Sequence, residues 1–419
     1  VGDGELRHQH SIPVGVDPVT VRWRTSNELW VVNHLSDSIS VVDVNSRAVI
    51  AILPTDDEPC DVVFAGSPER AFVSCSAVDR VLVFDPTQLD QAPQRIAIEG
   101  EDPRSLAVSP DGSTVYAAIF ESGNGTTLLA GGGDGDIIDF PPNAVSDPRG
   151  PYDGVNPPPN DGASFDPPLA AGLGTPPPVG LIVRLDAGGN WRDDNGTDWT
   201  AWVTGNRAAD SGRPSGWQLI DNDVAMIDAG SLDVSYATRM MNLCMSIAVN
   251  PSSGDVTVVG TDAINEVRFE PAVNGRFVRV NLSSFESESP DTVSTRDLNP
   301  HLDYSASTID ESERKQSIGD PRAIAWRADG LTGYVAGMGS NNLIEVDANG
   351  DRTVLPPIEV GGGPSGLAVD ETRGVLYVYN RFSASLSVVD LTAKAEVDQM
   401  PLFDPTPESI RAGEPCFGR

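Results

Sequence analysis

Residues 29–43 read LWVVNHLSDSISVVD, and residues 376–390 read LYVYNRFSASLSVVD. The second copy keeps Asn33 as Asn380, Ser36 as Ser383, Ser38 as Ser385, and the closing SVVD. A single core has no reason to repeat itself over such a distance; a repeat architecture does, because each unit meets the same packing problem. Each copy follows a proline and a short apolar strand, and that template finds further units. They are PCDVVFAGSPERAFVSCSAVDRVLVFD at 59–85, PRSLAVSPDGSTVYAAIF at 103–120 and CMSIAVNPSSGDVTVVGTDAINEVRFE at 244–270. Two more are PRAIAWRADGLTGYVAGMGSNNLIEVD at 321–347 and PSGLAVDETRGVLYVYNRFSASLSVVD at 364–390. From the proline to the final Asp is 26 positions in three of them.

Every unit decodes alike. An apolar strand such as SLAVS leads into a tight turn such as PDGS, whose Asp-Gly supports positive φ. A second strand, a polar turn and an alternating SVVD-type third strand follow, and a weaker fourth strand such as AVIAILP, QRIAIEG or TVLPPIEV closes the unit. Starts at 18, 59 and 103, and again at 321 and 364, fall 41 to 44 residues apart. Four antiparallel strands in that length predict an all-β fold, a β-propeller blade repeated around a ring. We expect seven four-stranded blades, with six and eight as alternatives, the seventh taking its outer half from NDVAMIDAGSLDVSYATRMM at 222–241. One propeller domain is expected over 1–402, with 403–419 as a C-terminal tail or linker and ELRHQHSIPVG near the start as a latch strand.

The two quoted cores resemble the YVTN-type repeat of secreted and surface-layer propellers, and the resemblance covers most of the chain. The ending DPTPESIRAGEPCFGR also resembles the linker that leads from such propellers into di-haem, cytochrome-c-peroxidase-like domains. The resemblance implies a fold; propellers host many unrelated roles.

The departures from the period lie at 121–179, 187–222 and 284–320. In an antiparallel blade, loops between the second and third strands share a face with the connections between blades. The 121–179 and 284–320 insertions therefore decorate one face, and tight turns such as SPDGS and NPSSGD keep the other plain. The decorated face is the expected working surface.

A net charge of −33 repels nucleic acid and anionic lipid, so neither is an expected partner. No run approaches the ~20 apolar residues of a membrane span. Lysine occurs only as Lys315 and Lys394, which suits a salty or calcium-containing medium and equally a GC-rich genome. Residues 1–8, VGDGELRH, show neither Met nor an apolar leader, so we expect a removed signal sequence and a secreted, extracellular or periplasmic location.

Candidate chemistry is sparse. Calcium takes carboxylate and carbonyl oxygens, and Asp193, Asp194, Asn195 and Asp198 in DDNGTD and Asp134 and Asp136 in GDGD are the candidate ligands. His8 and His10, read as one face of a strand, are a candidate copper or zinc pair. Cys60 and Cys75 flank a predicted hairpin and are expected as a cross-strand disulfide; Cys244 and Cys416 would form the second pair. Trp191, Trp199, Trp202 and Trp217 gather in one insertion, as a ligand platform or as a local core. No CxxCH haem-attachment motif occurs, nor GxSxG, HExxH or a phosphate-binding glycine loop in a credible setting. The expectation is a non-catalytic binding module with a protein, glycan or matrix partner at the decorated face. The alternative is the propeller module of a c-type-haem oxidoreductase, whose haem domain or haem-protein partner lies elsewhere.

Overall fold

A computed structural model describes residues 6–131, 142–158, 172, 178–263, 278–304, 306, 308–404 and 407. Its architecture is nearly all β. Among the described residues six four-stranded antiparallel meanders follow one another, the third and fourth joined into one eight-stranded sheet through the Glu121–Leu243 pair. The first comprises Pro18–Thr25, Glu28–Asn33, Ser38–Asp43 and Ala48–Pro54; the second Pro59–Ala65, Arg70–Cys75, Arg80–Phe84 and Gln94–Ala97. The third takes Glu101–Val108 and Thr114–Glu121, then Val224–Asp228 and Val234–Ala237. The fourth is Leu243–Val249, Val256–Ala263, Val278–Phe285 and Ser294–Asp297. The fifth is Pro321–Trp326, Thr332–Gly337, Asn342–Asp347 and Ile358–Glu359, and the sixth Pro364–Asp370, Val375–Asn380, Ser385–Asp390 and Ala395–Pro401.

Three expectations are corrected here. Residues 222–241 supply no outer half of a seventh unit: Ala117 pairs with Ala225 and Tyr116 with Met226, so these strands complete the third sheet. The excursions at 121–179 and 187–222 belong to one insertion between the second and third strands of that sheet. Within it, Thr126–Leu129, Leu181–Leu185 and Trp191–Arg192 form a separate three-stranded sheet. The apolar run LIVRL thus reads locally like a third strand but pairs inside the insertion. Residues 6–17 form no strand, and the sixth sheet draws all four strands from 364–401, so no latch strand is needed there.

The opening motif is scaffold. Asn33 is fully buried, and its Nδ2 donates to Ser38 O (3.2 Å), Ser38 Oγ (3.3 Å) and Ser40 Oγ (3.0 Å). Asn380 donates likewise to Ser385 Oγ (3.1 Å) and Ser387 Oγ (2.7 Å). A buried amide needs such partners, so Asn and Ser recur together for hydrogen-bond satisfaction. The preceding VG dipeptides follow from the same packing. A Cβ on Gly15 would lie 2.6 Å from Asn33 Cγ, and one on Gly361 2.6 Å from Asn380 Nδ2.

Five seams between successive sheets carry buried apolar clusters. Trp30, Val32, Val73 and Leu82 close the first seam, and Phe72, Val83, Leu106 and Ile227 the second. Tyr116, Met241 and Val258 fill the third, Leu282, Val335 and Ile344 the fourth, and Tyr334, Leu343, Leu376 and Val378 the fifth. The first strands of all six sheets line one central cavity, the arrangement a propeller requires.

Candidate functional site

The cavity measures about 1030 Å³. Because each first strand starts on the face where sheets connect, residues just after the opening proline sit at that mouth. In register there stand Val19, Cys60, Arg104, Met245, Arg322 and Ser365, all lining the cavity. Long connections emerge on this same face: the insertion after Glu121 and the 298–320 segment between the fourth and fifth sheets.

Arg104 and Arg322 approach one ring. Their guanidinium carbons lie 4.0 Å and 5.2 Å from the centroid of Phe120, at the end of the third sheet's second strand. Cation–π attraction and a carboxylate two residues upstream fix each arginine. Arg104 Nε donates to Asp102 Oδ1 at 2.9 Å, and Arg322 Nε to Asp320 Oδ1 at 2.7 Å. Deeper in the channel, Arg22 forks onto the buried Asp61, with Nε and Nη2 at 3.2 Å and 3.1 Å from its two oxygens. Asp61 raises the Arg22 guanidinium above its ordinary range, against the opposing effect of burial. Asp61 also accepts from Val62 N (2.8 Å) and Leu106 N (3.0 Å), so one carboxylate joins three sheets.

Asp102 and Asp320 stand outside the cavity lining. The lining therefore presents three guanidiniums and one carboxylate, Asp61, within a chain of net charge −33. Part of the signal for this site was legible: DPR occurs at 102–104, 147–149 and 320–322, and the first and last of these open units. Sequence reasoning treated those residues as part of the period and passed over them.

The sixth seam differs from the others. On the first sheet, Val21 (58% exposed), Trp23 (59%) and Ile52 (67%) face outward without a covering core. On the last sheet, Tyr377, Tyr379 and Leu386 line the same cavity, and Tyr379 is 41% exposed. At the decorated end an ion pair spans the seam, Arg381 Nη2 to Asp17 Oδ1 at 3.5 Å. The cavity thus runs from a cationic mouth to an apolar, aromatic wall.

The predicted site residues fall elsewhere. Asp193 is buried, and protein donors take its oxygens: Asn195 N, Thr197 N, Tyr152 Oη and Trp199 Nε1, all within 2.7–3.0 Å. Asn195 Nδ2 donates to Pro158 O, and Asp198 accepts from Thr200 N. Asp194 lies in the same turn, while Asp134 and Asp136 lie outside the described residues. Among the described residues no group of three or more His, Cys, Asp or Glu is arranged to hold a metal ion. His8 is exposed and bonded to Ser11 Oγ at 3.0 Å; His10 is exposed too, and neither stands on a strand. Trp191, Trp199 and Trp202 are buried with Leu129 and Leu181, and Trp217 packs against them as part of the insertion's own core.

The expected Cys60–Cys75 disulfide is not formed; Cys60, Cys75 and Cys244 are free thiols. Cys75 opposes Pro59, and a bulge between Pro59 and Val62 displaces Cys60 from the register that would have faced it. Cys60 turns to the channel, whereas Cys75 packs with Trp30 and Leu82. Burial pushes the Cys60 thiol up to about 11 and the Cys75 thiol up to about 12. With Cys244 free, the second expected pair has no bridge on its side, and Cys416 lies outside the described residues.

One buried acid escaped notice. Asp223 is fully buried beside Cys244, whose Sγ lies 3.5 Å from Oδ1. Burial pushes its carboxyl up to about 7, although Met240 N and Met241 N donate to it.

No family model and no curated protein matches this chain. Solved structures do. One is hydrazine synthase from Kuenenia stuttgartiensis, with 14% identity and a TM-score of 0.44, matched over 92% of this chain and 99% of that one. Another is dihydro-heme d1 dehydrogenase NirN in complex with DHE, with 12% identity and a TM-score of 0.43, over 94% of this chain and 66% of that one. At such identities and scores these likenesses carry no argument about ligand or activity.

Proposed function

We propose that the chain is a six-bladed β-propeller that serves as a non-catalytic binding module, with its loop-decorated face as the docking surface for a protein or glycan partner outside the cytoplasm. One observation supports this reading above others: the longest connections emerge together on the face that holds the cationic channel mouth, and the connections on the opposite face are shorter. At the channel Cys60 Sγ lies 3.9 Å from His34 Nδ1, but burial raises the Cys60 thiol to about 11, which leaves it a poor nucleophile. The acidic, lysine-poor surface agrees with the extracellular location.

The test is a glycan and protein-fragment array probed with the full chain and with two variants. Arg149→Ala alters the insertion on the decorated face, and Asp111→Ala alters a tight turn on the plain face. The reading expects a saturable partner whose binding weakens with the first variant only. Binding lost through the plain-face variant alone overturns it. A c-type-haem protein that binds in place of a glycan or other protein selects the alternative partner for the same face.

A further inference from the structure

We propose that the channel is a binding site for an amphiphilic carboxylate, a molecule with an apolar body and one acidic end. The carboxylate sits at the mouth on Arg104 and Arg322, and the apolar body fills the open sixth seam against Val21, Trp23, Tyr377, Tyr379 and Leu386. This inference stands independently of the docking reading for the loops.

Two features of the cavity have no explanation among the described residues. The first is charge. Among the described residues, neither terminal nitrogen of Arg322 has a protein hydrogen-bond partner, and Arg104 spends Nε and Nη2 on Asp102 while Nη1 stays open. Both guanidiniums lie against one phenyl ring, which holds them close together and half-screened from water. A planar carboxylate matches the open fork of a guanidinium, and the cavity lining carries an excess of cations over its single acid, Asp61.

The second feature is apolar. Five seams bury their facing side chains, and the sixth leaves a tryptophan, a tyrosine and branched aliphatics facing the same cavity. Arg381 and Asp17 hold the two sheets together at the decorated end, so the gap is bounded rather than splayed. A space of about 1030 Å³ is at the upper end of the ~300–1,000 Å³ usual for small-molecule sites. A polar or purely anionic ligand leaves the aromatic wall wet, and a neutral hydrocarbon leaves the guanidiniums unused. An amphiphilic acid satisfies both ends, and the acidic outer surface disfavours its nonspecific adsorption.

The experiment uses the intact chain with cis-parinaric acid, a fluorescent polyene acid, below its micellar concentration. Energy transfer from tryptophan reports proximity to Trp23, and competition ranks oleic acid against methyl oleate. The expected result is saturable binding displaced by oleic acid, with the ester weaker by about 10-fold or more, as loss of a charge-assisted hydrogen bond predicts. Arg322→Gln and Arg104→Gln should each narrow that gap without changing the ester's affinity. Trp23→Ala, at an exposed position that carries no seam core, should abolish most of the energy transfer and weaken acid and ester alike. Equal affinity for acid and ester overturns the proposal, as does an unchanged gap in both arginine variants, or the absence of saturable binding in a chain that melts normally.

Discussion

Asp61→Ala should be among the most damaging single substitutions in this chain, and the structure sets the size of the effect. Asp61 is 4% exposed and accepts four hydrogen bonds from three sheets: two from Arg22, one from Val62 N and one from Leu106 N. Truncation leaves two buried amides without an acceptor, at ~1–3 kcal/mol each. Arg22, with its side chain 48% exposed, rehydrates and adds at most ~1 kcal/mol. The total loss is about 2–7 kcal/mol. Arg22→Ala leaves both amide bonds in place but strips the buried Asp61 carboxylate of its cation, and should cost about 1.5–3 kcal/mol. The double variant should therefore match Asp61→Ala closely. Urea unfolding followed by tryptophan fluorescence measures all three, with differences taken at constant m. If Asp61→Ala costs no more than Arg22→Ala, the carboxylate is a simple ion-pair partner and the reasoning about its amide contacts is wrong.

Four other predictions rest on particular groups. Asp223 titrates near 3.8 when unfolded and is raised to about 7 when folded, so the folded state binds more protons in that window. Its contribution is fully present below the unfolded value and is lost as pH rises through 7; Asp223→Asn should flatten that slope in a pH series of urea midpoints, with Asp221 and Cys244 as its charged or titratable neighbours. At the other end, Asp111 and Asp186 are held down to about 2, first by Ser109 and by Asn190 N respectively, so their contribution is lost as pH falls from about 4 to 2. Thiol titration with a disulfide reagent should find Cys60, Cys75 and Cys244 unreactive in the native chain near neutral pH and all three reactive in urea without reductant. Gly361→Ala should destabilise by about 1–3 kcal/mol, because its Cβ meets the Asn380 amide that Ser385 and Ser387 hold in place; an unchanged melting temperature would mean that the amide moves freely.

The sequence showed what the repeat enforces and little of what interrupts it. Strand order in the first, second, fifth and sixth sheets follows from period-two alternation and turn residues, because neighbours close in sequence pair with one another. The fourth departs, since its third strand is Val278–Phe285, beyond the unit read at 244–270, and its fourth, Ser294–Asp297, lies within the expected 284–320 insertion. The third sheet was misread because its third strand returns after a long insertion, and local pattern cannot tell Leu181–Leu185 in the insertion from Val224–Asp228 in the sheet. The disulfide expectation failed on a single bulge, which shifts register by one residue and so turns Cys60 to the other face. The calcium reading of Asp193 rested on composition; Tyr152 and Trp199, which satisfy that carboxylate, come from positions the spacing did not connect. The arginine mouth was present in the text as two DPR triplets, but Phe120, which brings them together, stands at a strand end with no marking of its own.

The open seam bears on how the binding surface and the scaffold divide the molecule. Five seams supply apolar clusters, and burial at ~25 cal/mol per Å² makes those clusters the main source of stability. The first and last sheets, by contrast, share no large apolar cluster among the described residues; they meet through a half-exposed ion pair worth at most ~1 kcal/mol and bury Val42 and Val388. Separation of those two sheets therefore costs less than separation of a pair that shares such a cluster. A ligand that fills the gap adds its own apolar contacts to both sheets and stabilises the closed ring by mass action. The same feature that weakens the fold at one seam thus allows the channel to admit a guest from the side without disturbing the five cores. The repeated fifteen residues belong to the scaffold on which this seam is built: their Asn–Ser networks tie the second strand to the third in the first and last sheets.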